Sequence, residues 1–340
     1  MWHTTIQYAN RALLQYTYLM NKTDVDLIII GAGTAGLTAA QYGARANLSV
    51  LVLEQMASGG QALLIDVLEN YPGITKGKNG YEFSEDLHNQ AKDFGATFQM
   101  EQVQSIEKEG DVFAVKLSNG QVCRSLALIL ATGAKHRTLD VPGEATFSGK
   151  GVSYCATCDG PFFRNKKIFV VGGGDAACDE AQYLANLTKQ VIIVHRREKF
   201  RAQKALAERV MKNPNIDARF NTVIQEIKGA SKTPAGKVTS VVLADTSSGK
   251  VSEESADAVF VCTGMLPQTA LVTGDFRAKT DEAGYIVTDE RMATSVPGLF
   301  AAGDVRTTPF RQVITAASDG AVAAHCAAAY IDELKGTAYR

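Results

Sequence analysis

One pattern occurs twice in this chain and constrains its fold more than any other feature. A short aliphatic run enters a glycine-rich turn and leaves it as alanines and leucines at helical spacing. The first copy runs from Asp26-Leu27-Ile28-Ile29-Ile30 through Gly31-Ala32-Gly33-Thr34-Ala35-Gly36 and on from Leu37 to Ala46. The second runs from Ile168 to Val171, through Gly172-Gly173-Gly174-Asp175-Ala176-Ala177, and on from Cys178 to Asn186. Both read as strand, tight turn, helix, the opening of a Rossmann-like dinucleotide-binding unit. Gly31 permits the turn, Gly33 lets backbone approach a pyrophosphate, and Gly36 lets helix and strand pack closely. The phosphates would sit on the helix N-terminus, where unpaired N–H groups and the helix dipole favour an anion.

The two copies differ where the next strand ends. In the first, Ser49–Leu53 ends at Glu54, about twenty residues past the first glycine, the interval at which a carboxylate meets a ribose hydroxyl. In the second, Val191–Val194 runs into His195-Arg196-Arg197, with Arg201 just beyond. Arginines in place of the acid remove repulsion against a 2′-phosphate and offer it bidentate donors, which predicts NADPH rather than NADH at Gly172, Gly174, Asp175 and Ala176. The plainer reading of Arg196, Arg197 and Arg201 is a solvated basic face. Two dinucleotide sites in one chain imply an electron relay between two cofactors, one of them a flavin.

The 340 residues are enough for two domains, and 46% hydrophobic with 21% charged residues is a globular composition. Lysine plus arginine (35) nearly equals aspartate plus glutamate (36), so no basic excess points to nucleic acid. No apolar run approaches a membrane span, and six cysteines in this length do not make a disulfide scaffold, so the expected compartment is the cytoplasm. Residues 1–23 read as an N-terminal extension, since a single arginine does not make a targeting presequence.

Only Cys155 and Cys158 are close neighbours, in Cys155-Ala156-Thr157-Cys158-Asp159. That spacing closes a small disulfide ring and suits electron exchange. Half a zinc site is the alternative, but the five histidines show no ligand spacing and no second cysteine pair exists, so no metal is expected. Asp159 is either a turn former or a proton donor to a leaving thiolate. Cys123, Cys178, Cys262 and Cys326 read as small buried residues.

The expected fold is α/β with two Rossmann-like domains, one inserted into the other. Strands at Phe113–Leu117 and Gln121–Leu130 lead to Ala131-Thr132-Gly133. Ala258–Val261 leads to Cys262-Thr263-Gly264, and Val296–Phe300 to Ala301-Ala302-Gly303-Asp304. The two Thr-Gly segments read as crossings, with Pro142 and Pro267 in connecting loops. The domains are then 24–133 with 266–340, and 134–265.

Three segments together make the chain recognisable: Cys155 to Gly160 (CATCDG), Gly172 to Ala177 with His195-Arg196-Arg197, and Ala301 to Val305 (AAGDV) with Arg311-Gln312-Val313. From about Asp24 onward it resembles the low-molecular-weight thioredoxin reductases. The resemblance implies that the first unit binds FAD, with Gly31, Gly33 and Gly36 at the pyrophosphate and Glu54 at the ribose. Gly60-Gln61, Asn70 (in Glu69-Asn70-Tyr71-Pro72-Gly73), Asp304, Arg311 and Gln312 would hold the rest. It implies further that NADPH reduces FAD, that FAD reduces the Cys155–Cys158 disulfide with Cys158 facing the flavin, and that Cys155 exchanges with thioredoxin or a thioredoxin-like protein. Asp159 would serve as acid and base, and the chain would form a homodimer. Ala176 and Cys178 depart from the commoner serine and valine, and the first 23 residues have no counterpart. The lack of a thioredoxin-like domain or a redox tail after Tyr339-Arg340 points away from the larger animal-type reductases. Two other readings remain at this point: a flavin reductase or oxidase with another acceptor, and a flavoprotein whose dithiol only reports redox state.

Overall fold

Alternate residues of the first strand are buried on opposite sides, as happens when a parallel sheet is covered on both faces. Strand β1 is Val25–Ile30. Its Leu27 and Ile29 join one apolar cluster and its Ile28 and Ile30 another. The computed structural model describes residues 23–65, 67–68, 70–74, 78–230, 236–272 and 276–338. The expected extension, apart from Thr23, lies outside the described residues, as do Glu69, Tyr339 and Arg340.

The chain divides into two compact units, the described residues up to Lys135 with those from Leu266, and His136–Met265. In the first unit, β1 is followed by helix α1 (Thr34–Arg45), β2 (Val50–Glu54), a 3-10 turn (Gly60–Leu64) and helix α2 (Gly80–Asp93). Then come β3 (Thr97–Met100), β4 (Val103–Glu109), β5 (Val112–Leu117) and β6 (Val122–Leu130). The sheet order is β3-β2-β1-β6-β5-β4. β1, β2, β3 and β6 run parallel, whereas β4 and β5 form an antiparallel meander. Two partners share the outer edge of β6: β5 pairs with Val122–Ser125, and the late strand β17 (Leu299–Ala301) pairs with Leu128–Leu130.

The second unit follows strand β7 (Ala134–His136) and holds β8 (Val152–Ser153), the short helix α3 (Ala156–Asp159), β9 (Ile168–Val171), helix α4 (Asp175–Ala185) and β10 (Val191–Val194). Helix α5 (Lys204–Lys212), β11 (Ile216–Arg219), the strands β12 (Thr222–Gly229), β13 (Val238–Asp245) and β14 (Val251–Ser255), and then β15 (Ala258–Val261) complete it. Its sheet, β11-β10-β9-β15-β8, is parallel throughout. Ile168 and Val170 of β9 face the α4 and α5 side with Leu184 and Val210, while Phe169 faces the antiparallel β12-β13-β14 sheet with Val241 and Leu243.

Two sequence expectations need correction. The strand expected over Val296–Phe300 is only Leu299–Ala301, because Val296-Pro297-Gly298 forms a turn closed by Leu299 N–H donating to the Val296 carbonyl, with Gly298 at φ +81°. Pro267 is not in a loop but ends strand β16 (Met265–Pro267), which pairs with β7 in a two-stranded ladder that tolerates proline at an edge.

The alanine-rich helix α6 (Val313–Lys335) packs one face within the first unit. Its Ala323, Ala324 and Ala327 share a cluster with Ala35, Ala39 and Ala40 of α1. The helices approach so closely that a Cβ on Gly320 would lie 2.2 Å from the Ala35 carbonyl oxygen. Gly320→Ala is therefore expected to destabilise the protein by about 1–3 kcal/mol or more through overpacking, read as a lower midpoint in thermal or denaturant unfolding. No helix among the described residues is long and apolar enough to cross a membrane.

The end of α6 is tied to the start of β1, where Lys335 Nζ donates to Asp26 Oδ1 at 2.5 Å and the Ser49 hydroxyl and N–H donate to Oδ2 at 2.9 Å. Burial alone would raise the Asp26 carboxyl, but Lys335 and Ser49 outweigh it and hold the pKa below its ordinary value. A depressed folded-state pKa contributes stability above the unfolded value and loses it as pH falls through the folded one. Lys335→Met should thus cost about 1.5–3 kcal/mol at neutral pH. The gap between variant and parent should close below about pH 4, as measured by chemical denaturation across pH.

Candidate functional site

The mixed first sheet and the parallel second sheet each place a glycine turn where neighbouring strands leave in opposite topological directions, β1 beside β6 and β9 beside β15, the position at which such sheets bind ligands. In the first unit Gly31 has φ +102°, and a Cβ there would lie 2.4 Å from the Ala131 carbonyl oxygen at the end of β6. A Cβ on Gly36 would sit 1.9 Å from the Gly31 carbonyl oxygen, so both positions require glycine. Gly33 differs: it begins α1, and a Cβ there would meet nothing within 4 Å. The turn is thus packed below and open above, a cradle with room for a phosphate.

Several of the predicted partners lie around it, and the others are placed by contacts of their own. Glu54, ending β2, accepts the Ala32 N–H at 2.8 Å and the Met56 N–H at 3.1 Å. Gly59 N–H donates to the Ala32 carbonyl at 2.7 Å and pairs as a bridge with Gly33, which brings Gly60 and Gln61 alongside. Gln61 Nε2 donates to the Ala134 carbonyl at 2.5 Å. Gly303 sits against Ala35, in the first turn of α1, and so delivers Asp304 there. Burial raises the Asp304 carboxyl, Arg311 works against this, and Asp319 adds to it. Asn70 Nδ2 donates to Gln312 Oε1 at 3.0 Å. The Arg311 guanidinium lies 4.1 Å from the Tyr285 ring centroid, and its Nε is buried with no hydrogen-bond partner. A buried cationic donor without an acceptor fits a site built for an anionic or acceptor-rich group.

The second unit repeats the plan with different chemistry. Gly174 begins α4 and faces open space, whereas a Cβ on Gly173 would collide with the His195 ring, 2.2 Å from Nδ1. Asp175 accepts the Gln203 N–H at 2.7 Å and its Nε2 at 3.2 Å, and Arg201 N–H donates to the Gly173 carbonyl at 2.6 Å. The loop that carries Arg201 is thereby clipped onto the glycine turn; Gln203 had no motif to announce it. Burial lowers the His195 pKa, and the charges of Arg201, Arg197 and Arg196 lower it further. His195 Nε2 is buried there without a partner. Ala176 is exposed on the first turn of α4.

Cys155 and Cys158 form a disulfide with Cα atoms 5.3 Å apart. Cys155 caps α3, both cysteines and Asp159 are half-buried, and Cys155 Sγ is 3.4 Å from the exposed Thr157 Oγ1. The turn rests on α4, since buried Ala156 packs with Cys178, Ala181 and Leu184, and Gly160 abuts Tyr183 and Leu184. Asp159 N–H donates back to the Cys155 carbonyl at 3.1 Å. On the entering side, Tyr154 donates its hydroxyl to the buried Glu144 at 3.0 Å, an anchor that lacked any sequence signal. Cys123, Cys178 and Cys326 are buried, as expected of packing residues, while Cys262 is half-buried and bonded to a carboxylate.

The pattern of the pyridine nucleotide-disulphide oxidoreductases matches residues 25–320. A thioredoxin reductase of Treponema pallidum (strain Nichols) is 54% identical over 314 residues, 92% of this chain and 99% of that protein. One from Listeria innocua is 44% identical over 91% of this chain and 95% of that protein. The crystal structure of thioredoxin reductase from Streptococcus pyogenes superposes with a TM-score of 0.85 at 42% identity, covering 91% of this chain and 98% of that one. With two open glycine cradles and a disulfide seated on the second, the chain belongs to the pyridine nucleotide-disulphide oxidoreductase family, among the thioredoxin reductases.

Proposed function

We propose that the Cys155–Cys158 disulfide is the station at which this thioredoxin reductase hands electrons to thioredoxin or a thioredoxin-like protein. The observation that carries the reading is the half-buried disulfide seated on α4, the helix that begins at the arginine-flanked glycine turn. FAD and NADPH, the cofactors of this family, supply the hydride and electron-pair chemistry that no side chain here can perform.

The residues fit both groups. Gly31, Gly33, Gly36 and Glu54, with Gly60, Gln61, Asn70, Asp304, Arg311 and Gln312, would hold FAD; the open face of Gly33 and the unpartnered Arg311 Nε support this. Gly172, Gly174, Asp175, Ala176, His195, Arg196, Arg197 and Arg201 would hold NADPH. The positive charge that Arg196, Arg197 and Arg201 put at His195 and the His195 Nε2 without a hydrogen-bond partner fit a 2′-phosphate.

In exchange with thioredoxin, Cys155 as a thiolate attacks one sulfur of the partner disulfide, forming a mixed disulfide and releasing the other sulfur as a thiolate that takes a proton. Cys158 then attacks Cys155 Sγ, which restores the disulfide and frees reduced thioredoxin. Asp159, at the end of the redox turn, is the proposed proton carrier for these steps. The homodimer and the cytoplasmic location belong to the same proposal, the first resting on the resemblance and the second on the sparse cysteines.

Anaerobic titration with NADPH, followed by oxidised thioredoxin, tests the reading. Rapid flavin bleaching and reoxidation on adding thioredoxin are expected. Bleaching without reoxidation would move the function to another acceptor.

A further inference from the structure

A buried carboxylate on α6 holds the segment that carries Asp304. Asp319 lies one residue before Gly320, the glycine that lets α6 pack on Ala35 of α1. Its Oδ2 accepts the Gly303 N–H at 3.1 Å and an N–H of Arg306 Nη1 at 3.0 Å. Arg306 is fixed on its other side, where Nε donates to Thr288 Oγ1 at 2.6 Å. The side chains of the ion pair are only 13% and 12% exposed, so neither charge can lose the other without being stranded away from water. The two contacts bracket the 3-10 turn Gly303–Val305, since Gly303 begins it and Arg306 caps its end. Gly303 has φ +76°, and a Cβ there would lie 2.9 Å from the Ala35 Cβ, so this backbone is held between α1 and α6. Asp304 lies between the two tethered positions.

We propose that Asp319 is a positioning residue for flavin binding: its carboxylate, aimed by Arg306, fixes the Gly303 N–H and so presents Asp304 to FAD in one orientation. The inference rests on the reading of Asp304 as a residue that holds FAD. A buried ion pair adds little net stability once the desolvation of both charges is counted, so stability alone is weak grounds for this one. Its geometric effect is direct. Removing the carboxylate would leave the buried Gly303 N–H without this acceptor and free the turn to shift. A binding group carried on a loosened turn must be ordered when the ligand arrives, and that cost is taken from affinity. The turn needs the acceptor oxygen, whereas the charge matters only because Arg306 is there to aim it.

The experiment follows FAD release from the holoenzyme, as the rise of free-flavin fluorescence after dilution, with unfolding midpoints measured alongside. Two double variants separate the acceptor from the charge, and neither buries an unpaired ion. Arg306→Met with Asp319→Asn keeps an acceptor oxygen for Gly303 and should release FAD within about threefold of the parent rate. Arg306→Met with Asp319→Ala removes that oxygen and should release FAD about tenfold faster than the parent. Lys335→Met, which loosens the far end of the same helix, should lower the unfolding midpoint yet leave release within about twofold. Unchanged release in the Ala pair, an Asn pair as fast as the Ala pair, or Lys335→Met as fast as either overturns the proposal. If the Ala pair does not fold, the Asn pair still decides, because tenfold faster release with its acceptor retained overturns the proposal as well. Asp304→Ala tests the underlying reading separately: unchanged FAD release there would show that Asp304 does not hold the flavin. Faster release in Asp304→Ala beside an unmoved Asp319 series would overturn the positioning role alone.

Discussion

Replacing either Cys155 or Cys158 with serine is expected to reduce thioredoxin turnover by more than about 10³-fold, the order of loss when a covalent nucleophile is removed. Flavin bleaching by NADPH should persist in both variants, because neither residue lies in the two glycine turns. A single remaining thiol can attack thioredoxin but cannot complete the exchange, so the mixed disulfide should accumulate in one variant and not in the other. With Cys155 as the exchanging thiol, that variant is Cys158→Ser. The adduct would appear as a dithiothreitol-sensitive shift in mass equal to one thioredoxin. Accumulation in Cys155→Ser would reverse the two roles, and retained turnover in both would remove the disulfide from the path.

The second large effect concerns nucleotide choice. Arg196 and Arg197 are exposed at the end of β10, and with Arg201 they add their charge at the buried His195 ring. A 2′-phosphate placed there would accept charge-assisted hydrogen bonds worth about 1.5–3 kcal/mol in all, since solvent screens these exposed guanidiniums. Arg196→Ala with Arg197→Ala should therefore lower the preference for NADPH over NADH by about 10- to 100-fold in kcat/KM. NADH activity should change little, since its adenosine ribose carries no phosphate. The effect should weaken as ionic strength rises, because the arginines are solvent-exposed. Unchanged discrimination would return these residues to the status of a solvated surface.

The strongest sequence signals were local ones. A parallel strand buried on both faces must be apolar throughout, and a turn that admits no Cβ must be glycine, so β1, β9 and the turns at Gly31 and Gly172 were legible from composition and spacing alone. The strands β7 and β16 were not, because three residues carry no periodicity and Pro267 argues for a loop. The Val296–Phe300 run was misread for the complementary reason: apolar residues flank Pro297 and Gly298, and turn geometry overrides the apolar pattern. Contacts over long sequence separation were the least visible. The Asn70–Gln312 hydrogen bond joins opposite ends of the first unit, and only the family resemblance had marked both residues. Gln203 and Glu144 are ordinary polar residues in ordinary polar company, and their importance comes from which backbone N–H or side chain the fold brings to them.

The shared outer edge of β6 has a consequence for synthesis. Val122–Ser125 receive β5 at once, but Leu128–Leu130 wait for Leu299–Ala301, which emerge only after the whole of 136–265 has been made. At about 5–20 residues per second, the first sheet stays incomplete for roughly 10–30 s, with one strand edge unpaired and α1 lacking α6. The second unit is continuous in the chain and has no such wait. The nascent first unit is thus the part that most needs a chaperone, and its exposed β6 edge is where chains would associate wrongly if they were crowded before Leu299 appears.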